Sequence, residues 1–259
     1  MLLAVGSAKG APGATTTARV LAAVWPQDVV LVDADPAGGD LALLARRPDD
    51  GALDPDRGLL SLAADARRGL GERPLEDHLQ QVEGGLEVIC GVSTPDQMAG
   101  IGPVLPQVAG AFARWPGRDV LVDVGRVSPT SPTLPLVQAA DVLVLVARPR
   151  IESFAHVRER VRWLAQLRET NLRTPEVAVV LVADSRDRTS AGDLARLLAH
   201  DGLPGTVLGQ LADDTRAADV LGGRVERPVA RSLLVRSARQ LVDPLRALSQ
   251  SGRGVRTTA

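Results

Sequence analysis

Several absences narrow this 259-residue chain before any motif is considered. Its one cysteine, Cys90, excludes an intrachain disulfide and leaves no paired thiolates for a zinc ribbon or a bridged iron–sulfur cluster; packing within a strand is the role left to it. The three histidines, His78, His156 and His200, lie far apart without metal-ligand spacing and read as ordinary core or surface residues. No apolar run reaches the ~20 residues that span a bilayer, since Val142 to Ala147 and Val177 to Ala183 are only strand-length. Leu2 to Val5 is too short for the core of an export signal and has no basic region before it, so a cytoplasmic protein is expected. The net charge of −1 predicts no strong general attraction to DNA or anionic membrane, although charge is uneven along the chain. Lysine is nearly absent: of 30 Lys and Arg side chains, only Lys9 is a lysine.

What is present is a globular composition, 45% hydrophobic and 24% charged, of a length suited to one large α/β domain over residues 1–248 with a short polar tail over 249–259. Apolar, β-branched segments recur at Leu2 to Val5, Val29 to Val32, Leu86 to Ile89, Val120 to Val122, Val142 to Val146, Val177 to Val182 and Thr206 to Leu208, mostly separated by helical patterns. Continuous Val/Leu runs suit strands buried on both faces, and alternation with helices implies right-handed crossovers. The expectation is a doubly wound, mainly parallel sheet of about seven strands.

Lys9 falls directly after the first of these strands, in Lys9-Gly10-Ala11-Pro12-Gly13-Ala14-Thr15-Thr16-Thr17. Gly6 to Gly13 is loop chemistry, and Thr15 to Trp25 reads as a helix with Ala18, Leu21, Ala22 and Trp25 on one face. A strand, a glycine loop and a helix in this order aim backbone N–H groups and a helix N-terminus at one point, which makes an anion site without a basic side chain. The Thr15 hydroxyl can add a ligand to Mg²⁺. The ordinary phosphate-loop pattern is nevertheless broken, because Ala14 stands where lysine precedes the threonine and Ala8 where the first glycine belongs.

Acidic residues follow two strands, at Val32-Asp33-Ala34-Asp35 and at Val122-Asp123-Val124-Gly125. Ligands of such sheets bind beyond the carboxyl ends of the strands. Carboxylates there suit Mg²⁺, which takes oxygen ligands, and phosphoryl chemistry, which depends on positioning and charge neutralisation. The alternative for Asp33 and Asp123 is a strand-ending Asp that caps the next turn.

These motifs together resemble the ParA/MinD family of P-loop ATPases, whose loop reads K-G-G-x-G-K-[ST]. The resemblance implies ATP with Mg²⁺ as ligands, Lys9 as the early lysine that crosses a dimer interface to the other subunit's phosphates, and a nucleotide-dependent homodimer. It also implies that Gly10, Ala11, Pro12, Gly13, Ala14, Thr15 and Thr16 bind nucleotide, that Asp35 orients the attacking water, and that Thr15, Asp33 and Asp123 serve the metal. Asp184, where the family often has asparagine, either accepts from the adenine amino group or points to solvent. The segments Gly39 to Leu44, Gly85 to Ile89 and Ala139 to Val146 look most like the CpaE/TadZ branch, which implies a pilus or secretion client. Ala14 in place of the lysine implies slow, dimer-dependent hydrolysis or tight binding without turnover, with Lys9 either folding back within its own subunit or reaching across.

Two arginine-rich stretches remain. The helix after Arg148-Pro149-Arg150 carries Arg158, Arg160, Arg162 and Arg168, interleaved with Glu152, Glu159 and Glu169, which favours a solvated face over a DNA or partner surface. Near the C-terminus Leu234, Ala238, Leu241, Leu245 and Leu248 repeat at helical spacing, a stripe expected to pack on the sheet rather than to seek membrane, and the tail after Leu248 is expected to be disordered.

Overall fold

The computed structural model describes the chain apart from residues 11, 12, 71–74, 171, 226, 227 and 257–259, with side chains described as far as Ser251. Its strands are β1 (Leu2–Ser7), β2 (Val29–Asp33), β3 (Gln80–Gln81), β4 (Glu87–Ile89), β5 (Asp119–Arg126), β6 (Val142–Ala147), β7 (Glu176–Ala183) and β8 (Gly205–Ala212). The helices are α1 (Ala14–Ala23), α2 (Leu41–Leu44), α3 (Leu59–Arg67), α4 (Pro95–Ile101), α5 (Leu105–Ala113), α6 (Leu134–Ala139), α7 (Ile151–Glu169), α8 (Ser190–His200), α9 (Thr215–Leu221) and α10 (Leu233–Arg256).

One eight-stranded sheet runs β3-β4-β2-β5-β1-β6-β7-β8, and every pairing except β3 with β4 is parallel. The expected strand count of about seven is one short: β3 adds an antiparallel edge of two glutamines, which carry neither the β-branched residues nor the alternation that mark a strand.

Side chains alternate across the sheet. Leu2 and Ala4 join the core beneath α3 to α8, whereas Leu3 and Val5 join the core beneath α1, α9 and α10. Burial of the β1 side chains on both faces explains why the strand reads as an unbroken apolar run. The α10 stripe is packed as expected, with Leu234, Ala238, Leu241 and Leu245 buried and α10 in contact with β8, β7 and α1. The helix nevertheless continues to Arg256 and buries Ser249, so the free tail expected over 249–259 is corrected for residues 249–256, while 257–259 lie outside the described residues. No helix among the described residues is long and apolar enough to cross a membrane.

On α7, Val157, Val161 and Leu164 are buried as their spacing predicts. Its arginines are largely engaged by the chain itself: Arg158 and Arg162 reach Glu159 and Asp201, Arg168 reaches Glu176, and Arg160 lies over the Trp163 ring.

Candidate functional site

Strand β1 is central, flanked by β5 and β6, so the turn that follows it opens at the carboxyl end of the sheet between two crossovers. Close backbone packing sets this turn. A Cβ on Gly6 would lie 2.8 Å from the Gly125 carbonyl, so β1 and β5 approach there as only glycine allows. Gly13 stands at the N-cap of α1 with φ of 111°, a left-handed conformation that disfavours any side chain, and an added Cβ would press on Val182 at the end of β7. Thr17 returns to the same residue, with its N–H and its hydroxyl both donating to the Gly13 carbonyl at 2.8 and 2.7 Å.

The first turn of α1 has no side-chain cap and no acidic residue. Its N–H groups and the positive end of the helix dipole are therefore left for an anion. Ala14 is the first helical residue and is 8% exposed, so its methyl belongs to the core and supplies no charge. Thr15 and Thr16 are half-buried. Ala11 and Pro12, expected to touch phosphate, lie outside the described residues. Gly10 has φ of 61°, in the left-handed region.

Lys9 is exposed and lines a cavity of about 360 Å³ with Arg148, Arg150 and His156 where β6 turns into α7.

Two of the three expected metal ligands are brought together by strand register. Asp33 and Asp123 are direct partners on β2 and β5, and both project to the face occupied by α1. Asp33 accepts N–H groups from Leu41 at 3.0 Å and Asp35 at 3.4 Å, and its carboxylate fills the space that a Cβ on Gly39 or Gly91 would need. Asp123 accepts the Gly125 N–H at 3.0 Å through Oδ1, whereas Oδ2 is buried without a hydrogen-bond partner. The turn-capping alternative thus accounts for both oxygens of Asp33 and for one of Asp123, and leaves Asp123 Oδ2 unexplained.

Burial pushes both acids upward. For Asp33 desolvation outweighs the pull of the Leu41 and Asp35 N–H groups. For Asp123 burial, helped by the charge of Asp33, outweighs the Thr15 hydroxyl and the Gly125 N–H and brings the carboxyl up to about 7.

Thr15, Asp33 and Asp123 line one small cavity of about 10 Å³, together with Ala18, Arg19, Leu31 and Leu41. Among the described residues no three of His, Cys, Asp and Glu converge as a metal cluster. A hydroxyl, two carboxylates and an orphaned carboxylate oxygen are nonetheless hard oxygen donors of the kind Mg²⁺ takes when ligand phosphates complete its shell, so these residues fit that ion.

The sequence did not single out Arg19, which follows Thr15 by four residues and so shares its face of α1. It is 8% exposed, donates through Nη1 to the Leu221 carbonyl at the end of α9 at 3.3 Å, and has no partner for Nη2. Burial works against its charge, while Asp33, Asp123 and Asp40 favour it. The available signal was a lone arginine in the otherwise small and apolar run Ala18 to Ala23.

Asp35 sits apart from that cavity. Its Oδ1 accepts the Ala37 N–H at 2.9 Å, and its carboxylate lies against Gly125, whose φ is 60° and whose Cβ would be only 2.5 Å from Oδ1. Asp184, at the end of β7, is exposed and accepts the Arg186 N–H at 2.8 Å, closing its own turn. Nearby, Asp213 after β8 is paired with Arg148 after β6.

No protein-family model and no curated protein matches this sequence. Solved structures do match over almost the whole chain. A ParA family ATPase from Chlorobium tepidum is 17% identical, with a TM-score of 0.68 and coverage of 93% of this chain and 96% of its own. The septum site-determining protein MinD of Pyrococcus horikoshii, solved with Mg-ADP, is 16% identical, with a TM-score of 0.66 and coverage of 97% and 98%. An McdA variant from Cyanothece in complex with ATP is 18% identical, with a TM-score of 0.67 and coverage of 98% and 96%. The central strand, its glycine turn and the paired carboxylates on β2 and β5 thus belong to a chain with the fold of the ParA/MinD P-loop ATPases.

Proposed function

We propose that this chain binds a nucleoside triphosphate, with ATP as the first choice, in the turn between β1 and α1, and that binding controls the pairing of two copies. The observation that carries the reading is the uncapped, acid-free N-terminus of α1 set beside Thr15, Asp33 and the orphaned oxygen of Asp123. An anion and a cation are both provided for at one end of one helix.

In this reading the N–H groups of α1 take the phosphates. Thr15, Asp33 and Asp123 would hold Mg²⁺, whose charge offsets that of the phosphates when it is bound. Lys9 supplies the cation that Ala14 does not, within its own subunit or across a dimer. Asp35, beyond the end of β2, would orient an attacking water. Asp184 is the candidate contact for the base through the oxygen its own turn does not use.

Ala14 favours a slow or non-hydrolysing form of this activity. Oxyanion-type charge stabilisation supplies several kcal/mol to such reactions, and here one fixed charge is missing. A protein of this kind works as a switch or scaffold whose client reads its dimeric state. The CpaE/TadZ-like segments make a pilus or secretion assembly the client of choice, with the protein acting in the cytoplasm or at the inner face of the membrane. Neither a nucleic acid nor a lipid surface is favoured, since the α7 arginines are paired and the α10 stripe is buried.

Sedimentation with ATP, with ADP and without nucleotide, combined with phosphate release at high protein concentration, tests this reading. The expected result is a dimer with ATP alone and little or no release. Monomer under all three conditions would contradict the switch and leave a nucleotide-independent scaffold.

A further inference from the structure

Arg19 is a buried charge only half satisfied by its surroundings. One end of its guanidinium donates to the last carbonyl of α9, while Nη2 donates to nothing. Asp123, 2% exposed, has the complementary deficit: no hydrogen bond reaches its Oδ2, although the Thr15 hydroxyl is near enough to favour the carboxylate. Both residues line the same cavity of about 10 Å³, scarcely the room of one water. Asp33 lines it too, and its charge and that of Asp123 are what favour the guanidinium there.

A buried N–H and a buried carboxylate oxygen, each without a partner, are costly separately, and two residues that share one small void can relieve both costs by pairing. Arg19 lines the same cavity as both carboxylates. Its side chain is tethered one turn below Thr15, so a cation is already present on the carboxylate side of the phosphate turn.

We propose that Arg19 is a built-in counter-cation for the Asp33 and Asp123 pair, competing with a divalent ion for the same two carboxylates. The chain then binds free divalent ions weakly, a consequence that stands whether or not the nucleotide reading above holds. Arg19 is a positioning residue here and need not touch the nucleotide.

The test is Mn²⁺ binding to the nucleotide-free, full-length chain at about pH 8, followed by loss of the free-ion paramagnetic signal. Arg19→Met keeps the length of the stem and removes the charge. It should bind Mn²⁺ about tenfold tighter than the wild type or better, because a competitor for the ligands is gone. Arg19→Lys should resemble the wild type, and Arg19→Met combined with Asp123→Asn should lose the gain. Equal Mn²⁺ affinity in wild type and Arg19→Met, or a gain that survives Asp123→Asn, overturns the proposal. Should Arg19→Met be too unstable to titrate, its melting temperature in Mg²⁺ against chelator gives the same answer: a rise absent from the wild type supports it, and no rise refutes it. A parallel titration with ATP in the presence of Mg²⁺ separates the two readings. If neither protein binds ATP, the nucleotide reading fails while the Mn²⁺ result stands by itself.

Discussion

Asp33 and Asp123 are register partners on the neighbouring parallel strands β2 and β5, so the sheet holds two carboxylates side by side beneath the first turns of α1. Two backbone N–H groups on Asp33, one on Asp123 and the Arg19 guanidinium on the same cavity ease that arrangement, yet burial still raises both acids.

A pH dependence follows from Asp123. Its carboxyl is raised from 3.8 to about 7 in the folded chain, so between those values the folded state holds a proton that the unfolded state has released. Stability from this group is full at the acid end and is lost as the pH rises through about 7. Asp33 is shifted in the same direction and adds to the slope. Asp123→Asn should flatten the curve, so that urea midpoints of variant and wild type diverge with rising pH in the variant's favour. Parallel curves would mean that Asp123 is ionised throughout.

Gly13→Ala should cost roughly 1–3 kcal/mol of stability, because the residue is held at a φ of 111° and the methyl would press on Val182. Nucleotide affinity should fall with it, since the backbone N–H groups of the turn would be re-aimed. Denaturant unfolding read beside nucleotide titration checks both. An unchanged midpoint would show that the turn relaxes freely.

Ala14→Lys restores the charge that the turn lacks. Ala14 opens α1 with only 8% of its surface exposed, so the new stem would run along the helix end toward the mouth of the turn. Phosphate release at high protein concentration should rise about tenfold or more. No rise would place the block elsewhere than at this position.

Lys9→Ala should weaken ATP binding and abolish ATP-dependent pairing while leaving the melting temperature of the free chain unchanged, because the side chain is exposed. Sedimentation of the variant with ATP reads the effect. Full pairing without Lys9 would reduce the lysine to an ordinary surface residue.

Much of this arrangement is legible in the sequence for a simple reason. Strands buried on both faces must be continuous apolar runs, and seven of them stand out between Leu2 and Leu208. The turn is legible because Gly10 and Gly13 are needed at positive φ, and the carboxylates because Asp33 ends one such run and Asp123 interrupts another. What escapes is whatever depends on distant partners. Gln80 and Gln81 become a strand only because β4 offers them an edge. Arg19 looks like a surface arginine until register brings Asp33 and Asp123 beneath α1. The polar residues after Leu248 read as a tail, yet the helix that begins at Leu233 carries through them to Arg256.

The most direct test is calorimetric titration of ATP and GTP into the full chain, with Asp123→Asn and Gly13→Ala as controls. The account predicts saturable one-to-one binding of at least one nucleotide to the wild type, weakened in both variants. Absence of binding by either nucleotide, or binding indifferent to both substitutions, would contradict it.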